Sequence, residues 1–254
     1  MKSFGALAFL ACLLPAFAAP SPEPQRRSFP SSTKKGLGYN TAQYTNAFNL
    51  AFAYDWANNP ATSTGTLNSG VEFTPMLWGA DATGWTTAAN AAIASGSKHL
   101  LGFNEPDNGG QSNIAPAAAA ALWKEYMQPF AGKAKLVGPA VTNGGGVQWL
   151  QQFLGNCTGC TVDAIAMHWY DSATVSAITI YCMFLMGSEA RAQNWCYFTG
   201  YFQDASTTFP GYPIWITEFA GSGTTAQQQS FLSYVLPWME TQSYIQRYAG
   251  FGKH

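Results

Sequence analysis

Short apolar runs rich in β-branched and aromatic residues punctuate this chain, and stretches of helical period lie between several of them. Eight runs read as strands: Gly36 to Asn40, Phe48 to Trp56, Val71 to Trp78, Leu100 to Asn104, Lys135 to Val141, Ala164 to Tyr170, Ile214 to Phe219 and Arg247 to Gly252. Helices are predicted over Thr86 to Ser95, Pro116 to Phe130, Val147 to Leu154 and Thr225 to Glu240. Pro116 suits a first helical turn, and Phe231, Leu232, Val235 and Met239 mark the apolar face of the last helix. Strand and helix alternating in this number predict an α/β fold, a parallel (β/α)8 TIM barrel of a single domain, whose working face lies where the strands end. A doubly wound open sheet is the rival architecture, although the sequence holds no Gly-rich phosphate loop of the form it needs.

Two units depart from the ideal. The connection from Ala57 to Gly70 is built of Asn, Pro, Thr, Ser and Gly, so the second helix is reduced to a loop. The chain also stops just after the eighth strand, with the last helix missing. The sixth connection is unusually long, and Ile178 to Cys196 fits neither flank. Residues 181–196 read either as a lid stapled by Cys182 and Cys196 or as a translated intron, a non-native insert whose removal restores an ordinary helical unit. Upstream, Lys2, the apolar Leu7 to Leu14 and Ala16-Phe17-Ala18 read as a secretory signal over residues 1–18. A membrane anchor would need about 20 apolar residues, and Pro15 interrupts this run. Residues 19–35 are Pro-rich and basic, a propeptide or disordered leader carrying the dibasic pairs Arg26-Arg27 and Lys34-Lys35. Residues 36–254 then form the barrel.

A net charge of −1, with no basic cluster past Lys35, argues against nucleic acid or an anionic membrane as partner. With 10% charged and 15% aromatic residues, a neutral, hydroxyl-rich ligand fits better. The expectation is a secreted monomer, extracellular or in a cell wall, that uses no cofactor and no metal. Cys12 leaves with the signal, and the four cysteines that remain favour disulfides in an oxidising compartment. Cys157-Thr-Gly-Cys160 has a redox or half-zinc-site reading too, but no second such pair accompanies it. Asn156-Cys157-Thr158 is a glycosylation sequon, which marks a surface loop.

In a chain so poor in charge, Glu105 and Glu218 stand out because each follows an apolar strand-like run. Two carboxyl groups at strand ends of a barrel suit glycosidic cleavage, one protonating the leaving oxygen while the other supports or attacks the anomeric carbon. A separation of about 5 to 5.5 Å predicts retention and roughly 6.5 to 9.5 Å predicts inversion. Taken singly, Glu105 also reads as a turn cap and Glu218 as a salt-bridged strand end; Asp107 reads better as a loop anchor than as a catalyst. His168 and Tyr170 end the strand beside that of Glu218 and can hold it ionised, with core burial the alternative for the histidine. Trp56 and Trp78 end strands where flat rings can stack on sugar faces, or simply pack, while Asn40 and Asn104 suit hydroxyl recognition.

Three motifs together, Leu101-Gly-Phe-Asn-Glu-Pro-Asp107, Ala166-Met-His-Trp-Tyr170 and Trp215-Ile-Thr-Glu-Phe219, resemble the fungal glycoside hydrolase family 128, the Asl1-like glycosyl hydrolase catalytic domain. The resemblance covers most of Gly36 to Gly252. It implies a (β/α)8 enzyme that cleaves β-1,3-glucan polysaccharide with retention, with Glu105 as acid/base, Glu218 as nucleophile and Asn104 at the 2-hydroxyl of the reacting sugar. An endo-β-1,3-glucanase is therefore expected. The alternative from another class is a wall-associated glucan-binding protein that keeps the groove and has lost turnover.

Overall fold

The computed structural model describes residues 32–60, 65–173 and 195–251. Its strands are β1 (Lys35–Gly38), β2 (Phe52–Tyr54), β3 (Glu72–Phe73), β4 (His99–Leu101), β5 (Lys135–Val141), β6 (Ala164–Ser172), β7 (Ile214–Ser222) and β8 (Ile245–Gly250). They form one parallel sheet in the order β3-β2-β1-β8-β7-β6-β5-β4. The two ends of that order meet just past β3. Met76 bridges Leu101, Leu77 N–H donates to Leu101 O at 3.0 Å, and Leu101 N–H donates to Pro75 O at 2.9 Å. Pro75 accepts but cannot donate, which explains why β3 is far shorter than the predicted run to Trp78.

Helices α1 (Trp85–Ala94), α2 (Pro116–Leu122), α3 (Gly146–Asn156), α4 (Trp195–Thr208) and α5 (Thr225–Thr241) fill connections from β3 onward. The predicted Pro116 to Phe130 helix keeps its span but changes pitch, passing into a π-turn at Trp123–Met127 and a 3-10 turn at Gln128–Phe130. A second proline, Pro129, sits in that last turn. The Ala57 to Gly70 connection carries no α-helix among its described residues. Helix α4 is a unit the sequence reading only implied, beyond the long insert. Residues 181–194, with Cys182, lie outside the described residues, as do residues 1–18, expected as a secretory signal, and residues 252–254.

Period-2 alternation sorts side chains inside or outside the curled sheet. Ala164 and Ala166 face an inner cluster with Phe52, Tyr54, Met76, Leu101, Val137, Ala140, Trp215 and Ala249; Ile165, Met167 and Trp169 face the helices. Gly102 is required by close packing, since a Cβ there would come 2.7 Å from the Trp123 ring.

The leader boundary needs correction. Lys35 is the first residue of β1 and pairs with Tyr248, and Lys34 Nζ donates to the carbonyls of Met239, Glu240 and Gln242 at 3.2, 3.0 and 2.8 Å. Lys34 thus caps the C-terminus of α5, where orphan carbonyls favour a cation, so the dibasic pair Lys34-Lys35 is part of the fold. Cys157 and Cys160 form a disulfide after α3, and the neighbouring sequon residue Asn156 is exposed.

Candidate active site

Glu218 was expected at the end of its strand but occupies the fifth of nine positions in β7, and a local irregularity aims it inward. Met167 pairs with Ile216 and His168 with Glu218, leaving Thr217 as an extra residue on β7. Without that bulge, strict alternation would put Ile216 and Glu218 on the same outer face; with it, Ile216 and Phe219 face the helices and Glu218 turns to the interior. Thr217 O is fixed by the Tyr54 hydroxyl at 2.7 Å.

Glu105 lies beyond β4, yet its backbone stays in the sheet: Asn104 N–H donates to Trp78 O at 2.9 Å and Glu105 N–H to Ala140 O at 2.7 Å. Its φ of +41° is left-handed, an uncommon conformation for a non-glycine residue, which swings the carboxyl out of the strand's alternation. The following loop is pinned by Asp107, which accepts from Thr142 N–H at 3.1 Å and Thr142 Oγ1 at 2.5 Å. Asp107 is therefore a loop anchor.

His168 and Tyr170 share the inner face of β6. His168 is fully buried, with Nδ1 2.8 Å from Glu105 Oε1 and Nε2 3.5 Å from Glu218 Oε1, the latter at ion-pair distance without hydrogen-bond geometry. The closer carboxylate is thus Glu105, not the Glu218 expected from strand adjacency. Tyr170 donates to Glu218 Oε2 at 2.5 Å. Trp56 Nε1 donates to Glu218 Oε1 at 2.7 Å, and the Tyr54 hydroxyl stands 3.5 Å from the same oxygen. Asn108 Nδ2 donates to Glu105 Oε2 at 2.9 Å.

Burial pushes the Glu105 carboxyl up, but the hydrogen bond and charge of His168 and the amide of Asn108 reverse this and leave it below its ordinary value. Burial, then the negative charges of Glu218 and Glu105, push Tyr170 well above the usual phenol range, and Tyr54 likewise. Both phenols therefore remain hydrogen-bond donors at any working pH.

The carboxylates open into a cavity of about 290 Å³ lined by Asn40, Trp56, Trp78, Asn104, Glu105, Gln111, Glu218 and Phe251. Six of the eight residues singled out from the sequence line it; His168 and Tyr170 reach the glutamates from the side. Asn104 Nδ2 donates to Gln111 Oε1 at 3.3 Å, and Asn104 Oδ1 is buried without a hydrogen-bond partner among the described residues. Sequence reading missed Tyr54, Asn108, Gln111 and Phe251. Tyr54 alone had a signal, since it lies two residues before Trp56 on one strand face. Glu105, His168 and Glu218 bring one donor atom each within 4.8 Å of one another. His168 Nδ1 faces Glu105, while Nε2 is buried without a hydrogen-bond partner among the described residues.

The glycosyl hydrolase catalytic core family matches residues 36–254. The alkali-sensitive linkage protein 1 of Schizosaccharomyces pombe is 27% identical over 208 residues, covering 78% of this chain but 34% of its own, so the chain spans about a third of that relative. A curdlan-specific exo-β-1,3-glucanase of glycoside hydrolase family 128, subgroup III, from Blastomyces gilchristii, solved with glucose, is 37% identical with a TM-score of 0.76, covering 88% of this chain and 91% of its own. A subgroup I endo-β-1,3-glucanase from Amycolatopsis mediterranei, solved as a glutamate variant with laminaripentaose, is 28% identical with a TM-score of 0.70, covering 87% and 89%. That enzyme was also solved with a second glutamate replaced, and its two substituted positions stand closer along the chain than Glu105 and Glu218 do here, by about the length of residues 181–196.

Proposed function

The chain is a glycoside hydrolase of the glycosyl hydrolase catalytic core family, within family 128, and from that premise we propose that it is a secreted β-1,3-glucanase acting with retention on a (β/α)8 barrel. One observation carries the stereochemistry: carboxylate oxygens of Glu105 and Glu218 come within 4.8 Å, which belongs with the short separation of about 5 to 5.5 Å and leaves too little room for the water of an inverting enzyme.

Glu218 is the nucleophile. Its carboxylate is held by Trp56 and Tyr170, neutral donors that fix its direction. In the first step a Glu218 oxygen bonds to the anomeric carbon while Glu105 gives its proton to the departing glycosidic oxygen. In the second, Glu105 takes a proton from water as that water displaces Glu218. The negative charge of Glu218 before the first step vanishes in the glycosyl ester, a change that favours protonated Glu105 for the first step and ionised Glu105 for the second. Asn104 meets the 2-hydroxyl through its buried, unpartnered oxygen, and Trp78, 39% exposed, offers a face for stacking.

The substrate assignment rests on relatives that act on β-1,3-glucan. Internal cutting follows from the sequence resemblance; the likeness to the exo-acting Blastomyces enzyme supports a second reading, release of glucose from chain ends. Assays on laminarin, curdlan, cellulose and chitin oligomers test the linkage, with only the first two cut. Proton NMR of the first-formed product tests retention, and an initial α-anomer would overturn it. The product series separates internal from end-wise cleavage, and binding without release of reducing sugar would leave only the glucan-binding alternative.

A further inference from the structure

Trp56 sits where a sugar-stacking ring was expected, yet its polar atom is spent on the reaction centre. Among the described residues, the hydrogen bonds reaching Glu218 come from Trp56, Tyr54 and Tyr170. No lysine or arginine is among them. The groups facing this carboxylate are thus Tyr54 and Trp56 from the β2 side, His168 and Tyr170 from β6, and Glu105 from β4. Of these donors, the Trp56 N–H at 2.7 Å is the one that also lines the cavity.

The indole is held in place unusually firmly. Its backbone adopts a φ of +59°, a left-handed conformation uncommon for a bulky residue and characteristic of positions where the surroundings dictate geometry. The ring meets Tyr54 and Phe251 edge-to-face, each at 5.1 Å between centroids. It lies so close over Gly38 that a Cβ there would stand 3.2 Å from the ring.

We propose that Trp56 is a positioning residue of the reaction, its indole N–H holding the attacking carboxylate of Glu218, and not a platform for sugar; the proposal rests on reading Glu218 as nucleophile. In the step it serves, a bond forms between C1 and a Glu218 oxygen as the glycosidic C1–O bond breaks and the Glu105 proton moves to the leaving oxygen. The return step regenerates the carboxylate and reprotonates Glu105 from water. A neutral donor suits both halves. It steers the anion before attack, yet does not penalise the uncharged ester as strongly as a lysine or arginine would.

The test is Trp56→Phe, which keeps an aromatic ring and removes the N–H, assayed on laminarin beside Glu218→Gln. The expected result is a kcat lower by about 10- to 100-fold with a KM within roughly threefold of the parent. A kcat within about twofold overturns the proposal, as does a rise confined to KM, the signature of a lost stacking ring. Should thermal unfolding reveal a damaged fold, benzothienylalanine at position 56 exchanges N–H for sulfur at nearly constant shape and is judged by the same limits. If Glu218→Gln itself retains turnover, the nucleophile reading fails. If it is dead while the Trp56 variants are intact, only the present proposal fails.

Discussion

His168 Nδ1 lies 2.8 Å from Glu105 Oε1, and both residues are buried. This contact and the Asn108 amide hold the Glu105 carboxyl below its ordinary value against the upward push of burial. An acid catalyst must be protonated, so on the proposed role of Glu105 the alkaline limb of kcat/KM should follow its carboxyl and the working range should lie on the acid side. Asn108→Ala removes a donor that favours the ionised form. Its alkaline limb should move to higher pH, with kcat at the optimum within about tenfold of the parent. A pH–rate profile of the two proteins checks this, and an unmoved limb would count against the role of Asn108.

Glu105→Gln and Glu218→Gln each replace carboxyl by amide at nearly constant volume. Each should lower hydrolysis of laminarin at least 1000-fold, on the order expected for loss of a central catalytic group, while the unfolding midpoint stays near that of the parent. Azide should restore turnover when Glu218 is truncated to Ala or Gly, since a small anion can fill the space. A residual rate above a tenth of the parent would remove the role from whichever residue was changed.

Strands, helix spans and the approximate positions of both glutamates were legible because they follow from periodicity. The aim of the side chains was not. Glu218 points inward only because Thr217 adds one residue to β7 opposite β6, and a bulge of this kind leaves no mark in the hydropathy pattern. Trp56 looked like a stacking ring because its left-handed backbone and its bond to Glu218 depend on Gly38 and Phe251, which meet it only in the fold. Asn108 and Gln111 lie in a Gly- and Asn-rich loop without period, where contacts are set by the turn geometry.

Deleting residues 181–196 should raise soluble yield and thermal midpoint. The deletion removes Met183-Phe184-Leu185-Met186, an apolar run of the kind that promotes association, together with the first two residues of α4. A lid stapled by Cys182 and Cys196 predicts the opposite, because closing a loop of about 15 residues is worth roughly 3 kcal/mol. A lower midpoint on deletion, or a disulfide-linked peptide joining those cysteines in the protein produced under oxidising conditions, would decide for the lid.

Away from the cavity, Glu72 joins a half-buried set of charged and aromatic side chains. Its carboxylate lies 2.8 Å from His99 Nδ1 and 3.3 Å from Arg247 Nη2, and accepts from Lys98 N–H at 2.8 Å. Arg247 in turn lies over the Phe52 and Trp215 rings. Burial pushes Glu72 up, yet His99, the Lys98 amide and Arg247 together hold it below its ordinary value of 4.5. A carboxyl depressed in the folded state contributes stability above its unfolded pKa and loses it as pH falls through the folded one. Glu72→Gln leaves the half-buried Arg247 with a neutral partner and should cost about 3 kcal/mol at pH 7, a midpoint drop on the order of 6 to 12 °C for a domain of this size. Because protonated Glu72 resembles the amide, the gap should close as pH is lowered past the ordinary carboxyl range. Thermal melts of both proteins from pH 7 to pH 3 test this; a gap that persists at pH 3 would mean that lost packing, rather than charge, sets the difference.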